Sequence, residues 1–202
     1  MNVLFIEDRP FRREHFLPKG QKDIERMKSI KGLIMPDGDE CRRIISEVNL
    51  KKYDFRENPK LIIIHKTSLD TLGQSFVDSI CKSRKIDLVF FSGGISQLFY
   101  NSDGYNFLSM NSSDLYSDNL IPFLQRFCNN EQPHLLEITN KNWKLSYLYL
   151  ARQLFDSLEL EEDEDRLYAF DSKLDYIRKT VGMPLANAEE TDITIQKTTL
   201  LL

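Results

Sequence analysis

Leu61-Ile62-Ile63-Ile64-His65-Lys66-Thr67-Ser68-Leu69 is the stretch on which the fold turns. Its four leading aliphatic residues do not alternate with polar ones, so both sides of the segment need apolar cover. That is the condition of a strand inside a parallel sheet flanked by helices. Four other short apolar runs stand at residues 3–6, 30–35, 87–91 and 105–110. Between the second and third, Asp37 after Pro36 suits an N-cap, and Cys41, Ile44, Ile45 and Val48 follow at helical spacing. Between the third and fourth, Leu72, Phe76, Val77 and Ile80 form an apolar stripe that Ser68 or Asp70 can cap. A further helix is expected from Ser117 or Asp118 through Leu120, Ile121, Leu124 and Phe127. Between the first two runs, Pro18 and Gly20 leave room only for a short helix from about Pro10. The expectation is an α/β fold, a doubly wound five-stranded parallel sheet in the flavodoxin-like order 2-1-3-4-5. Its chemistry belongs beyond the carboxyl ends of the strands.

The 202 residues, 41% hydrophobic and 11% aromatic, suffice for one core and a smaller second element. The pattern divides them into a first domain at 1–130, a helical hairpin at 131–184 and a tail at 185–202. In the hairpin, Thr139 precedes a stripe through Trp143, Leu148 and Phe155. The acidic run 159–165 turns the chain, and Leu167, Phe170, Leu174, Ile177 and Val181 recur in steps of three and four. The formal charge of −4, with Lys and Arg scattered, does not favour nucleic acid as a partner. No apolar run reaches the roughly 18 residues needed to span a bilayer, and no basic region followed by an apolar stretch opens the chain. Cys41, Cys81 and Cys128 are odd in number and lie in apolar segments, so buried thiols and a cytoplasmic setting are expected.

Four strand ends resemble the receiver domains of two-component response regulators, over about 125 residues. Asn2-Val3-Leu4-Phe5-Ile6-Glu7-Asp8-Arg9-Pro10 resembles the family's first strand and its metal-holding acidic pair. In the stretch quoted first, His65 stands where the family has its phospho-accepting aspartate. Asp87-Leu88-Val89-Phe90-Phe91-Ser92-Gly93 places Ser92 at the hydroxyl position, and Tyr105-Asn106-Phe107-Leu108-Ser109-Met110-Asn111 puts Met110 and Asn111 where the family has Lys-Pro. Acyl phosphate chemistry needs a carboxylate nucleophile, a divalent cation and a cationic contact on the phosphoryl oxygens. The nucleophile and the lysine are both missing, and Lys66 follows His65 on the opposite side of an extended chain, unsuited to replace the latter. The resemblance therefore implies a pseudo-receiver without catalytic residues, metal or cofactor. Its partner would be another protein or a second copy, as in bacterial multi-protein signalling or phage-defence systems. The face formed in the family by the fourth helix, fifth strand and fifth helix would carry contacts here through Phe99, Tyr100 and Phe107. Leu174 and Ile177 would serve the same purpose on the hairpin.

An alternative is a small-molecule or nucleotide-handling enzyme using Glu7, Asp8, His65 and the Ser92 loop. On that reading the three ionisable groups ligate a transition metal or form a network in which the carboxylates raise the histidine pKa. The plainer alternative has Asp8 capping the following helix while His65 bonds to the pair. Ser92-Gly93-Gly94 offers amides to a phosphate or is a plain turn needing positive φ. His15 and His134, without metal-spaced partners, are expected as surface or capping residues.

Overall fold

The computed structural model describes residues 1–142 apart from Gln97 and Asp103. Of the hairpin expected at 131–184, residues 143–184, with Leu174 and Ile177, lie outside the described residues, as does the tail. The chain divides into two compact units, Met1–Ile138 and Thr139–Leu202, and the first contains the sheet.

Six strands form it: β1 (Val3–Ile6), β2 (Leu33–Ile34), β3 (Leu61–His65), β4 (Asp87–Ser92), β5 (Phe99–Asn101) and β6 (Phe107–Asn111). The spatial order is β2-β1-β3-β4-β6-β5; every pairing is parallel except the antiparallel β5–β6. The five expected strands are present, but the order differs from the expected one by a sixth strand at the edge, where a crossover helix was expected. The chain leaves β4 through a tight turn in which Ile95 N–H donates to Ser92 O at 3.2 Å, runs along the outside as β5 and returns as β6. Three residues alternating exposed, buried, exposed are enough for an edge strand and too few for a helix.

The helices are α1 (Pro10–Phe16), α2 (Gln21–Lys28), α3 (Gly38–Asn49), α4 (Thr71–Arg84), α5 (Ser112–Leu115) and α6 (Leu120–Cys128). Among the described residues no helix is long and apolar enough to cross a membrane. On one side of the sheet, Leu4, Ile6, Ile62, Ile64, Leu88 and Phe90 pack with Cys41, Ile44 and Val48 of α3 and Val77 and Cys81 of α4. Alternation along the strands sends Phe5, Glu7, His65 and Phe91 to the other side, where they meet α1 and Tyr116. Asp37 caps α3 as expected, its side chain accepting from Glu40 N–H at 2.8 Å. Asp70, rather than Ser68, caps α4, accepting from Gly73 N–H at 2.7 Å.

The stripe on α4 is rotated from its expected position: Gly73, Val77 and Cys81 face inward, and Leu72 is 57% exposed. Glycine sets that rotation by letting α3 come close. A Cβ at Gly73 would lie 2.1 Å from Asn49 Oδ1, the atom that accepts Asp70 N–H at 3.1 Å. Gly73→Ala should therefore lower stability by about 1–3 kcal/mol through overpacking and the lost bond, read as a lower urea midpoint. An unchanged midpoint would contradict the close approach. All three cysteines are free and buried, and burial raises each thiol above its ordinary pKa, which suppresses thiolate chemistry.

Candidate functional site

Parallel register brings the ends of β1 and β3 together. Ile6 pairs with Ile64 and His65 with Phe91 of β4, so Glu7, Asp8 and His65 emerge side by side, with ligand atoms within 4.8 Å of one another. Ser92, 3% exposed, ends β4 opposite Asn111 of β6, one step beyond the buried Met110. The resemblance implies that positions 8, 65 and 92 share one rim; the register brings 8 and 65 together and places Ser92 one step beyond Phe91, the strand partner of His65.

Glu7 is fully buried. Its Oε1 accepts from Arg9 N–H at 3.1 Å and its Oε2 from the Tyr116 hydroxyl at 2.9 Å. Burial pushes its carboxyl up to about 7, against the pull of those two donors, and neighbouring Asp8 adds to the rise. Asp8 also feels burial, but the Ser68 hydroxyl and the proton shared from Glu7 outweigh it and hold the group below its ordinary value. The two acids thus divide their roles, with Glu7 retaining a proton and Asp8 carrying the charge.

His65 is 2% exposed. Its Nδ1 lies 3.1 Å from Asp8 Oδ1 and 2.8 Å from Ser68 Oγ, and Ser68 Oγ donates to Asp8 Oδ1 at 2.7 Å. Its Nε2 lies 2.7 Å from Arg12 Nη1 and 3.3 Å from Thr67 Oγ1. Guanidinium has only donors, so Nε2 is the acceptor and the proton sits on Nδ1, directed at Asp8. One alternative has the carboxylates raise the histidine pKa; here it is lowered instead. Burial lowers it first, the Arg12 charge lowers it further, and Asp8 only partly offsets them.

This geometry limits the chemistry. Thr67, His65 and Asp8 have the connectivity of a nucleophile, base and orienting carboxylate, but Arg12 occupies the lone pair such a base would use. A metal shared by Asp8 and His65 Nδ1 would require the opposite tautomer, placing an Nε2 proton against the Arg12 donor. Asp8 does not cap α1, whose N-cap Arg9 has no side-chain cap bond. The Arg9 amide goes to Glu7 instead, and Asp8 forms a 3.6 Å ion pair with the Arg9 side chain. At Ser92, Gly94 N–H donates to the serine Oγ at 3.3 Å. Neither Gly93 nor Gly94 has positive φ, so the turn does not need glycine for the reason expected. Met110 offers no charge, and Asn111 Nδ2 donates to the carbonyls of Gly93 and Ile95 at 3.2 and 2.9 Å.

Four members of this cluster, Arg12, Arg13, Ser68 and Tyr116, are not identified as such by the sequence. Arg13 is 6% exposed, its guanidinium 5.4 Å from the Phe5 ring centroid, with Nη2 donating to Glu7 O at 3.5 Å. Position on α1, just after β1, could have pointed to Arg12 and Arg13, but nothing local selects Tyr116. Surface depressions of about 450 Å³ beside Lys31 and Arg126 and about 630 Å³ beside Phe11 and His15 are lined by none of Glu7, Asp8, His65 or Ser92.

The expected contact face also changes. Among the described residues no helix stands between β4 and β6, and Phe99 and Phe107 lie instead on the β5–β6 edge. Phe99 is 46% exposed and Phe107 half-buried, their ring centroids 5.8 Å apart. Tyr100 is 3% exposed and belongs to the interior, because alternation along β5 turns it inward. His134 is half-buried and bonded to Tyr100, and its Nδ1 accepts Leu136 N–H, the capping role expected of it, whereas His15 is exposed as expected. Comparison with known proteins gave no matching family model, no matching curated protein and no matching solved structure.

Proposed function

We propose that the Met1–Ile138 unit is a receiver-like binding module, a pseudo-receiver that works by protein contact or self-association and not by phosphoryl transfer. The observation that carries this reading is the engagement of both His65 nitrogens at the position where the resemblance would put the acceptor. One faces Asp8 and Ser68 and the other faces the Arg12 guanidinium. A nucleophile needs a free lone pair, and the unprotonated nitrogen already directs its pair at a cation. The neighbouring Glu7 holds a proton near neutrality, so it is a poor ligand for a hard divalent cation, which prefers ionised carboxylates. The half-exposed Phe99 and half-buried Phe107 at the sheet edge supply an apolar contact surface.

The test is incubation with acetyl phosphate and Mg²⁺ followed by intact mass. The expected spectrum gains no phosphoryl group. A gain that disappears in His65→Ala would overturn the proposal. Sedimentation of the wild-type protein and of Phe99→Asp then reads the contact: a concentration-dependent dimer lost in the variant supports self-association through this edge.

A second reading, an enzyme working at the strand ends, draws on Glu7, whose pKa near 7 suits a general acid or base. It requires substrate to displace Arg12 from His65.

A further inference from the structure

At the opposite end of the sheet from Asp8, four polar side chains form a chain with a defined direction. Asn106 Nδ2 donates to Asp87 Oδ1 at 3.0 Å, the Tyr100 hydroxyl donates to Asn106 Oδ1 at 3.0 Å, and His134 Nε2 lies 3.1 Å from that hydroxyl oxygen. His134 Nδ1 accepts Leu136 N–H at 3.3 Å. An imidazole nitrogen that accepts an amide proton carries none itself, so the proton is on Nε2 and points at Tyr100. The tyrosine directs its own proton at Asn106, leaving its oxygen to accept. Each of these bonds thus fixes the direction of the next, and together they fasten the β5–β6 edge to the turn after α6. The rings of Tyr100 and His134 also pack, with centroids 5.0 Å apart.

We propose that His134 is a proton-operated clasp on the sheet edge: when its ring takes a second proton, the turn at 134–136 opens and β5 loosens from the rest of the unit. The second proton can go only to Nδ1, where it would face Leu136 N–H, donor against donor. The charged and titratable groups around the ring, among the described residues, set the direction of release. Glu137 lies in the same turn, with Oε1 accepting His134 N–H at 2.9 Å, and its other oxygen is held by Arg126 of α6. From β5 comes Tyr100, and from β4 comes Asp87 at the end of the chain. Glu137 is the nearest anion, so an imidazolium turns toward it and away from Tyr100. Burial keeps the ring neutral to lower pH than an ordinary histidine, and Glu137 only partly offsets this. The clasp is therefore closed at neutral pH and opens in acid. Opening frees the ladder of the strand that carries Phe99, changing the surface a partner meets.

Amide hydrogen exchange at pH 7 and pH 5, corrected for intrinsic rates, tests this across Phe99–Asn101 and Phe107–Asn111. Wild-type protection is expected to fall at least tenfold at pH 5. In His134→Gln, whose side-chain amide can still donate to Tyr100 without titrating, the change should be less than twofold. Equal protection at both pH values in the wild type, or an undiminished acid loss in the variant, would overturn the proposal. Ring ¹⁵N resonances of wild-type His134 at pH 8 provide a check that needs no variant. They must report a protonated Nε2, and a protonated Nδ1 would sink the clasp.

Discussion

Glu7→Gln is expected to gain about 3 kcal/mol on the wild-type protein between pH 5 and pH 9, measured as the change in their stability difference by urea unfolding. The carboxyl rises from an ordinary 4.5 to about 7 on folding, and a tenfold change in proton affinity corresponds to about 1.4 kcal/mol. The sign follows from proton binding. Between those values the folded protein holds a proton that the unfolded chain has lost, so this stabilisation is complete below 4.5 and disappears as pH rises through 7. Above that, an ionised carboxylate is confined beside Tyr116, and among the described residues no cation forms an ion pair with it. Glutamine keeps the shape and an oxygen for Arg9 N–H, and has no charge to confine. Parallel stability curves for the two proteins from pH 5 to 9 would show that Glu7 is not buried as described. His65 and His134 act in the opposite sense. Both are depressed, so their contribution is full above the ordinary histidine value of about 6.5 and is lost as pH falls below it. Between about 4.5 and 6.5 the two effects therefore oppose each other: as pH falls, Glu7 adds stability while the histidines lose theirs.

Phe91→Ala is expected to cost about 3–5 kcal/mol, the range for removing a large buried aromatic side chain. Phe91 is fully buried, with ring centroids 5.9 Å from Phe5, 5.9 Å from Tyr116 and 5.3 Å from His65. It is thus the floor on which the strand-end cluster rests. Because burial is the first cause of the low His65 pKa, admitting water beside the ring should raise that pKa toward its ordinary value. Chemical denaturation reads the first effect and an NMR titration of the imidazole the second. Should the alanine variant prove too unstable, Phe91→Leu leaves a smaller space and should give both effects in reduced form. A destabilised protein with an unmoved His65 titration would separate the ring from the cluster.

Much of this arrangement is legible in the chain because its determinants are local or strictly periodic. Unbroken apolar runs mark β1, β3 and β4, and Asp37 announces α3. Once those strands are parallel, their lengths bring Glu7, Asp8 and His65 together. Other features leave little trace. Helix α2 is mostly polar, with Asp23 and Met27 its only buried residues, so it lacks an apolar stripe. A three-residue strand such as β5 is too short for alternation to declare itself beside Leu98-Phe99-Tyr100, where three apolar residues stand in a row. Leu72 misleads because only the approach of Asn49 to Gly73 decides which side of α4 turns inward. The partners of the site residues are distant in the chain: Arg12 is 53 positions from His65 and Tyr116 is 109 from Glu7. Those contacts decide protonation, which is why the histidine pKa falls although a carboxylate lies beside the ring.

The antiparallel edge bears on how the chain assembles itself. A parallel strand ordinarily waits for a long crossover before it can find its neighbour, but β6 meets β5 across a loop of only five residues, 102–106. Short loops close quickly and at small entropic cost. The last two strands are therefore equipped to zip together as a hairpin early, and then to seat against β4 as one preformed piece, completing the sheet in a single docking event.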